Sequence, residues 1–450
     1  MSEQFDLIVL GSGSGARDGA NKARKEHGAR VALIENTRWG GSCPNVACKP
    51  TKAYLVAAEL AHDVETLAEK LGIEVGPSRT NLAKVKARKD SLIVPKETWM
   101  ERLHGMGHAT FDGTGSFLDP QTVQVNGTRL SAERVLVATG SRTAVPPIDG
   151  LDETGWIDHV SALELTELPE SLLVVGGGPV GLELGQIFSR FGSKVTIVQV
   201  ADRISPRSDP DATEQLAASL EDEGIDIRTG TTVSRVRRED GAIVASVRDD
   251  ELRVDQILLA SGRSPNVEEL DLDRVGIERT RGGIVVDDRL RTSVDGIWAA
   301  GDVTSAYQFT PVAQYEARVA VDDMWGNGVR ADYDWLPTAI FTDPELAAVG
   351  LTEQQARDQG FDVETAVHPI QYVQRSSYTD VKHGLYKLVW ERGSRRMLGV
   401  HLVCRNGSDV VQGLALALKL GATVDDLARM HHAFPTWGEG VKAAAEQALL

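Results

Sequence analysis

Twice in 450 residues a short apolar run stops at a glycine-rich turn, passes through a helix-compatible stretch and returns to a second apolar run. The first copy opens with Phe5 to Leu10, read as a strand, followed at once by GSGSGA. Residues 17–29 are charged and Ala-rich, and Val31 to Ile34 forms the next strand, ending in Glu35. The second copy runs from Ser171 to Val175 through GGGPVGLELG and an apolar-faced stretch to Phe191, then returns as Val195 to Val198. Strand, glycine turn, helix, strand is a βαβ unit, and its period changes from about 2 to about 3.6 residues where the helix begins. Each copy also has a later partner strand that stops at a small-residue turn: VLVATG at Gly140 and ILLASG at Gly262. These patterns predict an α/β chain with two Rossmann-like dinucleotide-binding modules.

A lone G-x-G-x-x-G is weak, because glycine turns are common; context gives these two their meaning. Gly11-x-Gly13-x-x-Ala16 and Gly176-x-Gly178-x-x-Gly181 both follow a strand and open a helix. The glycines admit a pyrophosphate to the backbone, and the helix N-terminus supplies amides and the positive dipole end. Glu35, at the tip of its strand, is placed to accept hydrogen bonds from a ribose diol; the alternative is a solvated strand end.

Forty-eight basic against sixty-five acidic side chains give a net charge of −17, which repels phosphate backbones and anionic lipid. No apolar run approaches the roughly 18 residues of a membrane span, and the N-terminus lacks the basic start of a signal peptide. No nucleic-acid or membrane partner is expected. Three cysteines cannot form a secreted disulfide framework, so a reducing, cytoplasmic setting is expected.

Two of those cysteines decide the chemistry. GGSCPNVACKPTK places Cys43 and Cys48 on a Gly/Pro-rich turn that feeds a helix, with Pro50 suited to its first turn. The helix dipole, Lys49 and Lys52 are expected to favour a thiolate there. In a reducing compartment such a pair reads as a redox couple. A metal pair is the alternative, but no further Cys or His at zinc-ligand spacing lies nearby, and no resident metal is expected. Cys404, in an apolar strand, reads as a buried small hydrophobe.

With these residues in place the chain resembles the class I pyridine nucleotide–disulfide oxidoreductases, which include glutathione reductase, dihydrolipoamide dehydrogenase and mercuric reductase. The resemblance runs through GSGSGA, GGSCPNVACKPTK, VLVATGSR, VVGGGPVGLELG, ASGRSPN, AAGDV, FTDPELAAVGLTE and FPTWGE, in order over nearly the whole chain. It implies FAD at the first module and NAD(P)H at the second. Gly41, Ser42, Thr139, Gly140 and Gly301 then join Gly11, Gly13, Ala16 and Glu35 as FAD contacts, with Asp302 on the ribityl chain. Gly262 joins Gly176, Gly178 and Gly181 at the nicotinamide cofactor. Lys52 would pair with Glu183 beside the flavin ring. Cys48 would be the thiol nearest the flavin, and Cys43 the one that meets substrate. The resemblance also implies a homodimer with sites built from both subunits. The implied domains are an FAD domain over 1–146 and 264–333, an NAD(P)H domain over 147–263, and an α+β dimerisation domain over 334–450.

The chain departs from the family pattern at four points. Ala47 and Lys49 stand where Gly and an aliphatic residue are usual. Gln199 replaces the acid typical of NADH users; with Arg203 and Arg207 following, the reading leans to NADPH, although Gly181 is the NADH-like choice. Phe434 occupies the position of the catalytic His that precedes Pro-Thr, five residues before Glu439, and His431 and His432 lie just upstream. Finally, the tail EQALL lacks the vicinal cysteines of a standard mercuric reductase. The expected activity is electron transfer from NAD(P)H through FAD and Cys43–Cys48 to a small acceptor. A diaphorase-type quinone or metal-ion reductase and a non-catalytic flavin sensor are the rival readings. With Phe434 in place, weak disulfide reduction is expected unless another acid, such as Tyr372 or Tyr378, comes close.

Overall fold

The computed structural model describes residues 2–76, 78–304 and 307–450. Its residues group into two units: Met1–Pro50, Lys89–Ala144 and Gly262–Asp332 in one, and Thr51–Arg88, Val145–Ser261 and Tyr333–Leu450 in the other.

The first unit is built on five parallel strands in the order Ile297–Ala299, Val135–Val137, Leu7–Leu10, Val31–Glu35 and Ala109–Asp112. Leu7 to Leu10 are buried, as a central strand covered on both faces requires. The first fingerprint helix, Ser14–His27, buries Gly15, Ala16, Gly19, Ala20 and Ala23 against the helix Thr310–Met324. Small residues set that approach: a Cβ on Gly15 would lie 2.6 Å from the Ala313 carbonyl oxygen.

One expectation is corrected here. Phe5 to Leu10 is not one strand. Glu3–Phe5 pairs with Thr128–Ala132 in a separate four-stranded sheet, and only Leu7–Leu10 enters the parallel sheet. Asp6 makes the break: its carboxylate accepts the Arg30 N–H at 2.7 Å while its own N–H donates to the Arg30 carbonyl at 2.9 Å.

The second unit holds four parallel strands in the order Asp226–Arg228, Lys194–Val198, Ser171–Val175 and Gln256–Leu259. The second fingerprint helix, Pro179–Phe191, and an antiparallel meander over 233–254 accompany them. A five-stranded antiparallel sheet follows in the order Thr338–Ile340, Glu345–Gly350, Met397–Cys404, Leu385–Glu391 and Val363–Pro369, with helices Gly407–Lys419 and Glu439–Glu446 beyond it. The two sheets share a core in which Leu172, Leu182 and Phe188 cluster with Ile340, Leu346 and Val403. Tyr54, on the helix Cys48–Thr66, is buried in the same cluster and donates its hydroxyl to the Leu163 carbonyl at 3.0 Å. Among the described residues no helix is long and apolar enough to cross a membrane.

Candidate active site

The first fingerprint turn is laced to Glu35. One carboxylate oxygen accepts from Ser12 N (3.0 Å) and Ser12 Oγ (2.8 Å); the other accepts from Thr37 N, Thr37 Oγ1 and Arg38 N at 2.9–3.1 Å. Ser12 Oγ in turn accepts from Gly40 N at 3.0 Å. Gly41, at φ +79°, lies so close to the turn that a Cβ there would be 2.4 Å from the Gly13 Cα. The glycine turn and the start of the cysteine motif are thus one packed element. Across the same unit, Thr139 Oγ1 donates to the Asn266 carbonyl, Ser141 Oγ donates to Asp302 at 2.7 Å, and Gly301 N donates to the buried Glu316 at 2.6 Å.

Cys43 lies in the short helix Ser42–Asn45, and Cys48 begins the helix Cys48–Thr66. Neither cysteine is in a disulfide; Cys43 is half-buried and Cys48 exposed. Cys48 Sγ is 3.6 Å from Thr310 Oγ1. Hydrogen bonding to Cys48, then burial, push the Cys43 thiol up, while Thr310 and the Arg17 guanidinium pull it back. The lysines do not play the part expected of them. Lys49 Nζ turns to the Leu92 carbonyl and Lys52 Nζ is taken by Glu183, so the cation acting on Cys43 is Arg17.

Lys52 Nζ donates to Glu183 Oε2 at 2.7 Å and lies 4.2 Å from the centre of the Phe341 ring. Glu183 Oε1 accepts from Phe341 N at 3.0 Å, so both of its oxygens are held. The carboxylate is nearly buried and Lys52 about a third exposed. On the same second fingerprint helix, a Cβ on Gly181 would fall 1.9 Å from the Gly176 carbonyl oxygen. Gln199 Oε1 accepts from Gly177 N at 3.3 Å, which points its amide into the turn. Beyond it lies a cavity of about 400 Å³ lined by Val200, Gly230, Thr231, Thr232, Ser234 and Arg248. Arg203 is spent on its own loop, donating to the Pro206 carbonyl at 2.7 Å.

At the C-terminal end Phe434 is 74% exposed. Glu439 accepts from Gln374 N at 3.0 Å and Thr436 N at 3.2 Å, both backbone donors. Burial holds His432 below the usual imidazole range, and its Nε2 is enclosed without a partner among the described residues; His431 is exposed. Tyr372 and Tyr378 are exposed, on the segment whose Gln374 meets Glu439. Cys404 is fully buried, and burial pushes its thiol up to about 12, which leaves it inert.

The family model described as pyridine nucleotide-disulphide oxidoreductase matches residues 5–317, and its dimerisation domain matches 336–445. The chain belongs to this family. Mercuric reductase from Staphylococcus aureus is 36% identical over 452 residues, 98% of this chain and 82% of that one. Dihydrolipoyl dehydrogenase from Thermus scotoductus is 37% identical over 454 residues, 98% of this chain and 97% of that one. The Cu(II) complex of the HOCl-induced flavoprotein disulfide reductase RclA from Escherichia coli shares the fold with a TM-score of 0.89 at 30% identity, covering 99% of this chain and all of that one. The chain is accordingly an NAD(P)H-dependent flavoprotein oxidoreductase of the disulfide reductase type, and the matched dimerisation domain supports a homodimer.

The residues present fit the family's two cofactors. Gly13 and Gly178 begin helices of 14 and 13 residues with no side-chain cap and no acid in the first turn, which leaves the leading amides for a pyrophosphate. A Cβ on Gly178 would meet nothing within 4 Å, so this approach is open. Three residues that sequence reasoning passed over lie among the expected ones. Ser12 couples Glu35 to Gly40, Thr310 reaches the cysteines, and Arg17 faces Cys43. Only Ser12 had a signal, as the variable residue inside a fingerprint.

Proposed function

We propose that the chain carries electrons from NAD(P)H through FAD to the Cys43–Cys48 couple and on to a small acceptor that needs no proton on its leaving group. The observation that carries this is the pair of interacting thiols, Cys43 in the short helix Ser42–Asn45 and Cys48 at the head of the helix Cys48–Thr66. FAD, when bound, supplies the two-electron relay between nicotinamide and disulfide. The chain does the rest. Gly11, Gly13, Gly41 and Glu35 shape the FAD turn, Ser141 orients Asp302, and Gly176, Gly178 and Gly181 shape the NAD(P)H turn. Cys48 is assigned to the flavin side and Cys43 to the acceptor. As two electrons leave, the Cys43–Cys48 S–S bond re-forms, either against one two-electron acceptor or against two one-electron acceptors.

Phe434 favours soft metal ions or quinones over disulfides as acceptors, because a disulfide leaves as thiolate and a phenyl ring donates no proton. The mercuric reductase and Cu(II)-complexed relatives support metal ions. NADPH is the proposed donor, on the neutral Gln199 and the Arg248 cation lining the adjacent cavity. The four-segment division at 146, 263 and 333 and a cytoplasmic site are part of the same proposal.

Purified holoenzyme assayed with Cu(II), Hg(II), a quinone, lipoamide and glutathione disulfide should turn over the disulfides slowest, by roughly 10²-fold or more, the usual worth of a general acid. Phe434→His should raise disulfide turnover selectively. Cys48→Ser should abolish the long-wavelength thiolate–flavin absorption while FAD stays bound. Rapid reduction of glutathione disulfide or lipoamide by the parent enzyme would overturn the acceptor assignment.

A further inference from the structure

We propose that Lys387, on a strand of the C-terminal antiparallel sheet, is a positioning residue for NAD(P)H binding: through Asp209 it pins the loop of residues 200–208 against the second fingerprint turn. The inference rests on the assignment of that turn, Gly176 to Gly181, to the nicotinamide cofactor.

The loop borders the place assigned to the cofactor. It leaves the strand Lys194–Val198 just after Gln199, and Val200, at its start, lines the cavity of about 400 Å³. Gly230 N, from the same cavity wall, donates to the Ala201 carbonyl at 2.7 Å. Further on, Ser205 N donates to the Gly177 carbonyl at 2.8 Å, and a Cβ on Gly177 would lie 3.2 Å from the buried Ile204 side chain. Loop and glycine turn are in direct contact. Ser205 sits at φ +40°, in the left-handed region that residues with a side chain adopt rarely, so its surroundings hold it there.

The far end of the loop is held from outside the fingerprint module. Asp209 is fully buried and caps the helix Pro210–Asp222, its Oδ1 accepting from Asp211 N at 3.1 Å. Its Oδ2 is buried with no hydrogen-bond partner among the described residues, and what neutralises it is the Lys387 ammonium 3.1 Å away. Lys387 comes from the strand Leu385–Glu391 and is 3% exposed. The same ammonium meets Asp211 at 2.8 Å and Glu353, at the start of the helix Glu353–Asp358, at 3.1 Å. Burial pulls its proton affinity down, and Asp211, Asp209 and Glu353 more than restore it. Without the ammonium, Asp209 becomes an uncompensated buried anion beside Asp211, at the junction where the loop enters its helix. An anchor of the fold alone would set the melting temperature and leave nucleotide affinity untouched; an anchor of the loop sets the affinity.

The test follows flavin reduction in the holoenzyme by stopped flow across a range of NADPH and of NADH concentrations, which separates nucleotide Kd from the limiting rate. Asp209→Asn keeps an acceptor for Asp211 N and removes the charge that Lys387 holds; Lys387→Met removes the cation. Both should raise Kd about fivefold for either nucleotide, the loss that follows when the competent loop is populated about a fifth of the time. The limiting rate should not change. Amide exchange over residues 200–208, read by peptide mass spectrometry, should quicken in the same two variants. Glu353→Gln also takes an ion pair from Lys387 but lies off the loop, and should keep the parent Kd. Gly178→Val, at extended backbone angles open to any residue, obstructs the turn itself and should abolish binding of both nucleotides. A Gly178→Val protein that binds them like the parent overturns the assignment of the turn, and the proposal with it. With that assignment upheld, a parent-like Kd in Asp209→Asn overturns the proposal whatever the melting temperature. So does a Kd raised equally by Glu353→Gln, or raised without faster exchange in the loop. Asp209→Asn decides alone if Lys387→Met does not fold.

Discussion

The two fingerprint turns solve one problem with different residues at the strand tip. In the first, Glu35 receives five hydrogen bonds from Ser12, Thr37 and Arg38, so the acid fastens the turn to the loop that leads toward the cysteines. In the second, neutral Gln199 makes a single 3.3 Å contact with Gly177 N and leaves the neighbouring cavity, with Arg248, free of acid at that tip. The third fingerprint position differs as well. Ala16 is accommodated and buried, whereas Gly181 backs onto the Gly176 carbonyl with no room for a Cβ. A charge in the first copy is used to build the turn; the second copy is built with a neutral residue at the same place.

The sharpest way to break this contrast is to exchange the third residues. Gly181→Ala forces a methyl to within 1.9 Å of a carbonyl oxygen and should destabilise the second unit by about 1–3 kcal/mol, the usual cost of overpacking. Ala16→Gly should cost about 1 kcal/mol through helix propensity alone and keep its flavin. Thermal melts and the rate of flavin reduction by NADPH report both. A Gly181→Ala protein that melts with the parent would mean that the second turn relaxes as easily as the first.

Exchanging the strand-tip residue sharpens the other half. Gln199→Glu keeps the hydrogen bond to Gly177 N, now charge-assisted, but places an anion where a 2′-phosphate is proposed to lie. The ratio of kcat/KM for NADPH over NADH should fall about tenfold, a change of about 1.4 kcal/mol. A ratio unchanged by the acid, or a parent enzyme that already favours NADH, would remove Gln199 from the selection of donor.

What was legible in the sequence was what is local in the chain. The glycine spacings, the strands flanking them and the cysteine pair each fit within a few turns of backbone, so their chemistry showed directly. Lys52 and Glu183 are 131 residues apart, and their pairing came only through the family resemblance. Arg17 was invisible for a different reason. Its neighbourhood depends on Gly13 touching Gly41 and on Trp99 reaching back across the unit, contacts that leave no periodic trace. Lys49 misled because sequence proximity to Cys48 says nothing of direction; on a helix its side chain points to Leu92 instead. Asp6 was read through as part of a strand because one polar residue in an apolar run is ordinary, until its carboxylate is seen to hold Arg30.

The weakest expected effect separates the two fingerprint helices by how they are anchored. The second is held near its C-terminal end by Arg190, which is bound to Glu223 at 2.7 Å and Asp343 at 3.1 Å. The first has ion pairs as well, Asp18 with Arg318 at 2.6 Å and Lys22 with Asp322 at 3.0 Å, but adds a titratable imidazole: His108 Nε2 bonds Asn21 Oδ1 at 2.9 Å, and Nδ1 is buried without a partner among the described residues. Burial, and then the nearby Arg24 charge, lower His108 to about 4. The unfolded chain takes up this proton near the ordinary value of about 6.5, so it binds more protons than the folded chain between the two values. The stability contributed by neutral His108 is therefore intact above about pH 6.5 and is lost progressively as the pH falls toward 4. His108→Gln keeps a donor for Asn21 and removes the titration. Melting temperatures of the parent should decline over that window more steeply than those of His108→Gln, with the curves parallel above pH 7. Parallel curves across the whole range would show that His108 is neutral in the fold at no cost, and that the two helices do not differ in their response to acid.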